Sequence, residues 1–432
     1  MQPRDLSTHE PYEAGRGVAA VAREHGRDPE TVIALSSNEN PFGPSPAAVD
    51  ALRSAAETMH GYPKAAHVDL VAAIAPQWAV DPEQVWLANG GDGAIDYLSR
   101  AFLDPGDRVL VPDPGFAYYA MSARFHHGAV ATYPLSVEDD FAQTPERILE
   151  RYDGERIVYL TSPHNPVGTT IGPDDVAHIA RETADETLVV VDEAYGEFAE
   201  TESAISVITG SAGIEPRSDV AVIRTFSKAY GLAGLRLGFA VVPSDWANAY
   251  ARVNTPFAAS TAACVAGLAA LEDESHVDRT VDAARWARSY VADAVDRQTW
   301  AGEGNFVLVD VGDAGAVTAA LAARGIVVRD CTSFGLPQCI RISCGTESEM
   351  KRAVESLIAL LRDRSEADGD WEDADESRPD GEKADDDQDR SEGADDGDDD
   401  QDHSEGADDG DDDQDHSEGA DDGEDEQEET RR

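Results

Sequence analysis

The sequence predicts an α/β protein: a large domain with a mostly parallel sheet between helices, a smaller α+β domain and a disordered acidic tail. Three observations carry that prediction. Short, apolar, β-branched runs alternate with helix-length segments over the first 250 or so residues, the pattern of βαβ units whose strands are buried on both faces. A second set of strand-like runs follows a helical stretch further on. Residues 365–432 hold 35 Asp plus Glu against five Lys plus Arg, with too few apolar side chains to offset the entropy of ordering.

Residues 1–35 read as an arm, polar and broken by Pro3, Pro11, Gly15 and Gly17, that contributes to the small domain and to a substrate lid. The stretch 34–46, ALSSNENPFGPSP, reads as a loop. The large domain, 36–255, has strands expected at 85–87, 108–111, 157–160, 188–191, 220–223 and 239–242. The small domain, 256–363, has strands expected at 305–311, 326–330 and 339–344. Its last helix starts near Thr346, where Thr346 and Glu349 match a capping box, and Met350, Ala353, Val354, Leu357 and Leu361 form one apolar stripe. In the tail, 364–432, a 13-residue repeat starts at Arg390, His403 and His416. His403 and His416 lie among carboxylates that could bind metal, but a solvating tail is the simpler reading and no metal is expected.

The formal net charge is −53, and residues 1–364 alone carry 52 acidic against 29 basic residues. Such a surface repels nucleic acid and anionic membrane. It suits a protein kept soluble in concentrated salt, where screening removes self-repulsion. A halophilic, cytoplasmic protein is expected, since the sequence shows no secretory signal and no apolar run of about 18 residues. Cys264, Cys331, Cys339 and Cys344 form no CxxC pair and read as buried free thiols.

Chemistry is concentrated at the predicted strand ends, where ligands of open α/β sheets collect. The chain has four lysines, Lys64, Lys228, Lys351 and Lys383. Only Lys228 follows an apolar run and precedes a Gly-rich stretch, TFSKAYGLAGLRLG. An amine placed there can hold an aldehyde cofactor as a Schiff base. Asp192 closes the run 188–191 and can partner a protonated pyridine nitrogen. Asn165, in SPHNPVG, and Tyr195, in DEAYG, are donors suited to a phenolic oxygen, although NP is also a turn signal. Gly90, Gly91, Asp92 and Gly93 precede a helical pattern and offer backbone N–H groups to a phosphate. Ser227 and Arg236 flank Lys228 and can add a hydroxyl and a guanidinium. Phe116, after PDPG, either stacks on a ring face or fills the core.

Together SPHNPVG, VDEAYGEF, TFSKAYGLAGLRLG, SNENPFGPSP and RISCG resemble the fold-type I pyridoxal-phosphate aminotransferases over about residues 1–363. Among these the chain looks like the histidinol-phosphate aminotransferases. The resemblance implies a seven-stranded-type sheet, pyridoxal 5'-phosphate as cofactor and Lys228 as its Schiff-base lysine. It gives Asp192, Asn165 and Tyr195 the roles above, and Gly91, Asp92, Gly93, Ser227 and Arg236 the cofactor phosphate. Tyr62, in HGYP, resembles a tyrosine that reaches the neighbouring subunit's cofactor phosphate, which implies a homodimer with shared sites. Where many relatives have an acidic residue after the Asp of the phosphate loop, this chain has Gly93, so backbone donors must serve.

Arg341, in RISCG, resembles the arginine that holds a substrate carboxylate, and a planar guanidinium matches carboxylate or phosphate equally. Arg329 is a second cation or a partner for Asp330. Tyr12 and Asn38 are expected to close over the substrate, with packing as the alternative for Tyr12. The implied reaction is ping-pong transamination of histidinol phosphate with 2-oxoglutarate, giving imidazole acetol phosphate and L-glutamate, a step of histidine biosynthesis. Threonine-phosphate decarboxylase and an aromatic or broad-range aminotransferase are the alternatives. A cofactor-sensing regulator is remote, because the sequence has no basic DNA-binding patch.

Overall fold

The computed structural model describes residues 6–9, 11–12, 17–64 and 67–375. The predicted tail repeats, His403 and His416 lie outside the described residues, as does part of the N-terminal arm.

A seven-stranded sheet is built from β2 (Val85–Asn89), β3 (Arg108–Asp113), β4 (Ala129–Pro134), β5 (Ile157–Thr161), β6 (Leu188–Asp192), β7 (Val220–Thr225) and β8 (Leu237–Val241). Its order is β2-β8-β7-β6-β5-β3-β4. Every pairing is parallel except those of β8, which runs antiparallel to both β2 and β7. The apolar runs read as strands because both of their faces are buried. In β6, Val189 and Val191 pack into one core while Leu188 and Val190 pack into the core on the opposite face. β7 divides in the same way, with Val220 and Val222 on one side and Ala221 and Ile223 on the other.

A second sheet has the order β1-β11-β12-β10-β9. It contains β1 (Ile33–Leu35), β9 (Thr299–Trp300), β10 (Phe306–Asp310), β11 (Ile326–Asp330) and β12 (Cys339–Ser343). The helix Glu347–Asp375 runs on into the segment read as tail. Its predicted stripe, Met350 to Leu361, is buried in one hydrophobic core with residues of β10 and β12. Thr346 and Glu349 form the expected reciprocal cap, with the Thr346 amide donating to Glu349 Oε2 at 2.8 Å.

Three strands were not anticipated. β1 lies partly in the stretch read as loop and has only three residues, which become a strand by pairing in parallel with β11. β4 is an edge strand whose mixed, half-exposed residues carry no alternation, and β9 is two residues long. The helix predicted from Ala94 starts at Gly90, so the GGDG turn is its first turn. All four cysteines are free, and three of them are buried.

Candidate active site

Five of the large sheet's strands end beside one cavity of about 730 Å3. Pairing sets these ends level, with Thr161 opposite Asp192 and Asp192 opposite Ile223. The cavity is lined by every predicted site residue except Gly90, Gly93 and Tyr62. Gly93 lies against β2 instead, where an added Cβ would sit 3.3 Å from the Ala88 Cβ. Its small size lets helix and strand approach. Tyr62 is 84% exposed and stacks on Phe257 at 4.7 Å.

Lys228 lies in the turn after β7. Its amine donates to the Ser37 carbonyl at 3.2 Å and lies 5.7 Å from the centre of the Tyr195 ring. Asp192 is buried at the end of β6. Tyr119 donates to its Oδ2 at 2.7 Å and the Ala194 amide to its Oδ1 at 3.0 Å. Burial nevertheless pushes this carboxyl up to about 6, against the pull of both donors. A cationic partner would relieve that desolvation.

The opposite requirement holds at the start of the helix Gly90–Phe102. Its first-turn amides have no partners within the helix. Arg236, in the left-handed region at φ +53, donates to Asp92 Oδ2 at 3.0 Å. Gly90 has φ +74, a conformation that strains any L side chain, and an added Cβ there would fall 2.5 Å from Arg236 Nη2 and displace the guanidinium. Ser227 is fixed by Thr225, whose hydroxyl accepts from the Ser227 amide at 3.1 Å and lies 3.0 Å from its hydroxyl.

Tyr195 accepts from Asn38 Nδ2 at 3.0 Å, which leaves its own O–H to donate. Asn165 Oδ1 accepts from Arg341 Nη1, which leaves the Asn165 amide nitrogen as its donor for a ligand. Phe116 is half-buried and meets Tyr119 edge-to-face at 5.5 Å and Tyr12 at 6.3 Å.

The far wall comes from the small sheet. Arg341 on β12 stands directly opposite Arg329 on β11. Like charges in that position are unfavourable. Arg341 is 6% exposed, donates to the Ser36 carbonyl at 2.8 Å and has no partner for its buried Nε. Burial lowers its pKa, and no carboxylate pairs with it among the described residues. Arg329 donates to Ser333 Oγ at 2.9 Å. Asn38 is 1% exposed and held on three sides: its amide donates to Ser343 Oγ at 2.8 Å, its Oδ1 accepts from that hydroxyl at 2.9 Å, and its carbonyl accepts from Asn305 at 3.0 Å.

Sequence reasoning missed Tyr119, Thr161 and Glu39. All three line the cavity. Nothing local pairs Tyr119 with Asp192, 73 residues away.

The cavity therefore offers an amine, a buried carboxylate in need of a cation and a helix end with an arginine in need of an anion. Pyridoxal 5'-phosphate has an aldehyde, a basic ring nitrogen and a phosphate, and fits this set. Comparison with known proteins agrees. The model of the family described as aminotransferase class I and II matches residues 30–357. Histidinol-phosphate aminotransferase of Natronomonas pharaonis is 63% identical over 84% of this chain and all of that protein. That of Haloarcula marismortui is 61% identical over 84% of this chain and 99% of its own length. Among solved structures, histidinol-phosphate aminotransferase from Sinorhizobium meliloti in complex with pyridoxal-5'-phosphate superposes with a TM-score of 0.71 at 28% identity, covering 81% of this chain and 95% of that one. A cavity furnished for this cofactor and a match that spans the folded part lead to one conclusion: the chain belongs to the class I and II aminotransferase family, among the histidinol-phosphate aminotransferases.

Proposed function

We propose that this chain transfers the amino group of histidinol phosphate to 2-oxoglutarate, giving imidazole acetol phosphate and L-glutamate. The carrying observation is the facing pair Arg341 and Arg329, two arginines on the cavity wall with no carboxylate paired to Arg341. A phosphate or carboxylate from the substrate supplies the negative charge that Arg341 lacks among the described residues. One such site serves a phosphorylated amino alcohol and a dicarboxylate in turn, as a ping-pong reaction requires.

When bound, pyridoxal 5'-phosphate supplies an aldehyde that accepts the amino group and a ring that draws electrons from the reacting carbon. In the proposed assignment Lys228 Nζ would take the proton from the substrate carbon that bears nitrogen and pass it to the carbon that enters as the cofactor's aldehyde. Asp192 holds positive charge at the ring nitrogen. Asn165 and Tyr195 donate to the phenolic oxygen, and Phe116 covers one ring face. Gly91, Asp92, Gly93, Ser227 and Arg236 hold the phosphate, with Gly93 contributing through its backbone and its close packing. Arg341 and Arg329 fix the substrate anion, and Tyr12 and Asn38 border the substrate.

The reading includes a homodimer. Tyr62, Phe257, Met59 and Val68 are exposed, and a partner copy covering them would bring Tyr62 to its cofactor phosphate. A monomer in light scattering at molar salt would remove this part of the proposal. A cytoplasmic location is also proposed; among the described residues no helix is long and apolar enough to cross a membrane. The division into arm, large domain, small domain and tail at 35, 255 and 363 stands as a proposal as well. The decisive assay offers purified protein in high salt histidinol phosphate, threonine phosphate or phenylalanine, each with 2-oxoglutarate. Histidinol phosphate should give the highest kcat/KM, and faster use of either alternative would overturn the substrate assignment.

A further inference from the structure

We propose that Glu39 recognises the amino donor by its side group, accepting a hydrogen bond from an imidazole N–H. The inference rests on the histidinol-phosphate reading above.

Three carboxylates line the cavity among the described residues. Asp92 is paired with Arg236, and Asp192 is held by Tyr119 and the Ala194 amide. Glu39 is exposed in the cavity, and nothing among the described residues hydrogen-bonds or ion-pairs with its side chain. Its backbone, in contrast, is held firmly on both sides. Asn38 is fixed by Ser343 and Asn305. Asn40, also buried, donates to the Ala229 carbonyl at 2.8 Å and to Thr280 Oγ1 at 3.0 Å. An unpaired charge held between two locked neighbours is a preorganised recognition element, because little further ordering is needed to use it.

The order of contacts along this segment says which part of a donor Glu39 meets. The Ser36 carbonyl accepts from Arg341, the proposed anion holder. The Ser37 carbonyl accepts from Lys228, beside the reacting carbon. Asn38 reaches Tyr195, and Glu39 follows. Histidinol phosphate has the same order: phosphate, amine-bearing carbon, imidazole. Three residues of backbone advance at most about 10 Å, the scale of a small donor laid along the wall. An imidazole N–H placed at Glu39 gains a charge-assisted hydrogen bond, a contact that glutamate, which has no such N–H, does not make.

The test measures the two half-reactions by single turnover. Cofactor-loaded wild type, Glu39→Gln and Glu39→Ala each receive histidinol phosphate alone or glutamate alone, and cofactor absorbance reports the second-order rate constant. Cofactor affinity and melting temperature are measured for all three proteins. The ratio of rate constants, histidinol phosphate over glutamate, should fall about tenfold or more in both variants. A ratio within about twofold of wild type in both overturns the proposal. So does an equal loss on both donors, which would make Glu39 part of the scaffold. Failure of the wild type to use histidinol phosphate would instead overturn the function proposed above.

Discussion

The two ends of the cavity are built differently. The cofactor end stands on the carboxyl ends of β5, β6 and β7 and the start of one helix, and its parts come from compact motifs. The substrate end is assembled from the small sheet and residues 36–40, through bonds such as Asn38 to Ser343, 305 residues apart. The cofactor end is rigid because its strands are buried on both faces. The substrate end is rigid only while distant segments remain docked. Substitutions should therefore separate the two ends by what they damage.

The largest effect is expected at the cofactor end. Lys228→Ala removes the amine for which no neighbour can substitute, and turnover should fall by a factor of about 10^3 or more. Borohydride treatment should no longer fix the cofactor to the chain. Retained turnover would place the reacting amine elsewhere.

Next is Arg341→Ala at the substrate end. Loss of charged hydrogen bonds to the substrate anion should lower kcat/KM about a hundredfold, for histidinol phosphate and 2-oxoglutarate alike. Cofactor affinity should hold. If it fell in parallel, the two ends would not be separable.

Asp192→Asn sharpens the contrast through stability. The Asp192 carboxyl is raised from 3.8 to about 6 in the fold. A raised carboxyl favours its protonated form, so its ionisation costs the folded state stability as pH rises from about 4 through about 6. In cofactor-free protein the asparagine variant should be more stable at neutral pH, by about 1–3 kcal/mol. The gain should vanish near pH 4, while cofactor affinity is lost. Equal melting shifts at both pH values would contradict the argument.

The smallest effect is expected from Ser343→Ala, which leaves the buried Asn38 short of a donor and an acceptor. Stability should fall by about 1–2 kcal/mol, and the KM for histidinol phosphate should rise more than the cofactor dissociation constant. A change confined to cofactor binding would show that Asn38 serves the other end.

The cofactor end was largely legible in the sequence. Lys228, Asp192 and the GGDG turn each follow a buried apolar run, and such a run announces both a strand and where it stops. Gly93 was read for its backbone N–H alone, and its close packing against β2 is something no local pattern could indicate. At the substrate end Arg341 and Arg329 were readable as cations, but not as cross-strand neighbours. Residues 34–35 read as loop because three residues carry no periodicity, and they form β1 only against β11. Glu39 gave no signal, since an isolated carboxylate in an acidic chain resembles any other.

By itself the sequence determined the sheet-forming runs, the single well-placed lysine and the acidic, lysine-poor surface. These follow from burial periodicity, side-chain chemistry and charge, all local properties. The tertiary structure alone decided that Tyr119 donates to Asp192, that Asn38 is clamped by Ser343 and Asn305, and that Glu39, unpaired among the described residues, lines the same cavity as Lys228 and Arg341. Those contacts join residues tens to hundreds of positions apart. Chain closure over such distances is set by packing of the whole core, and no short window of sequence contains it.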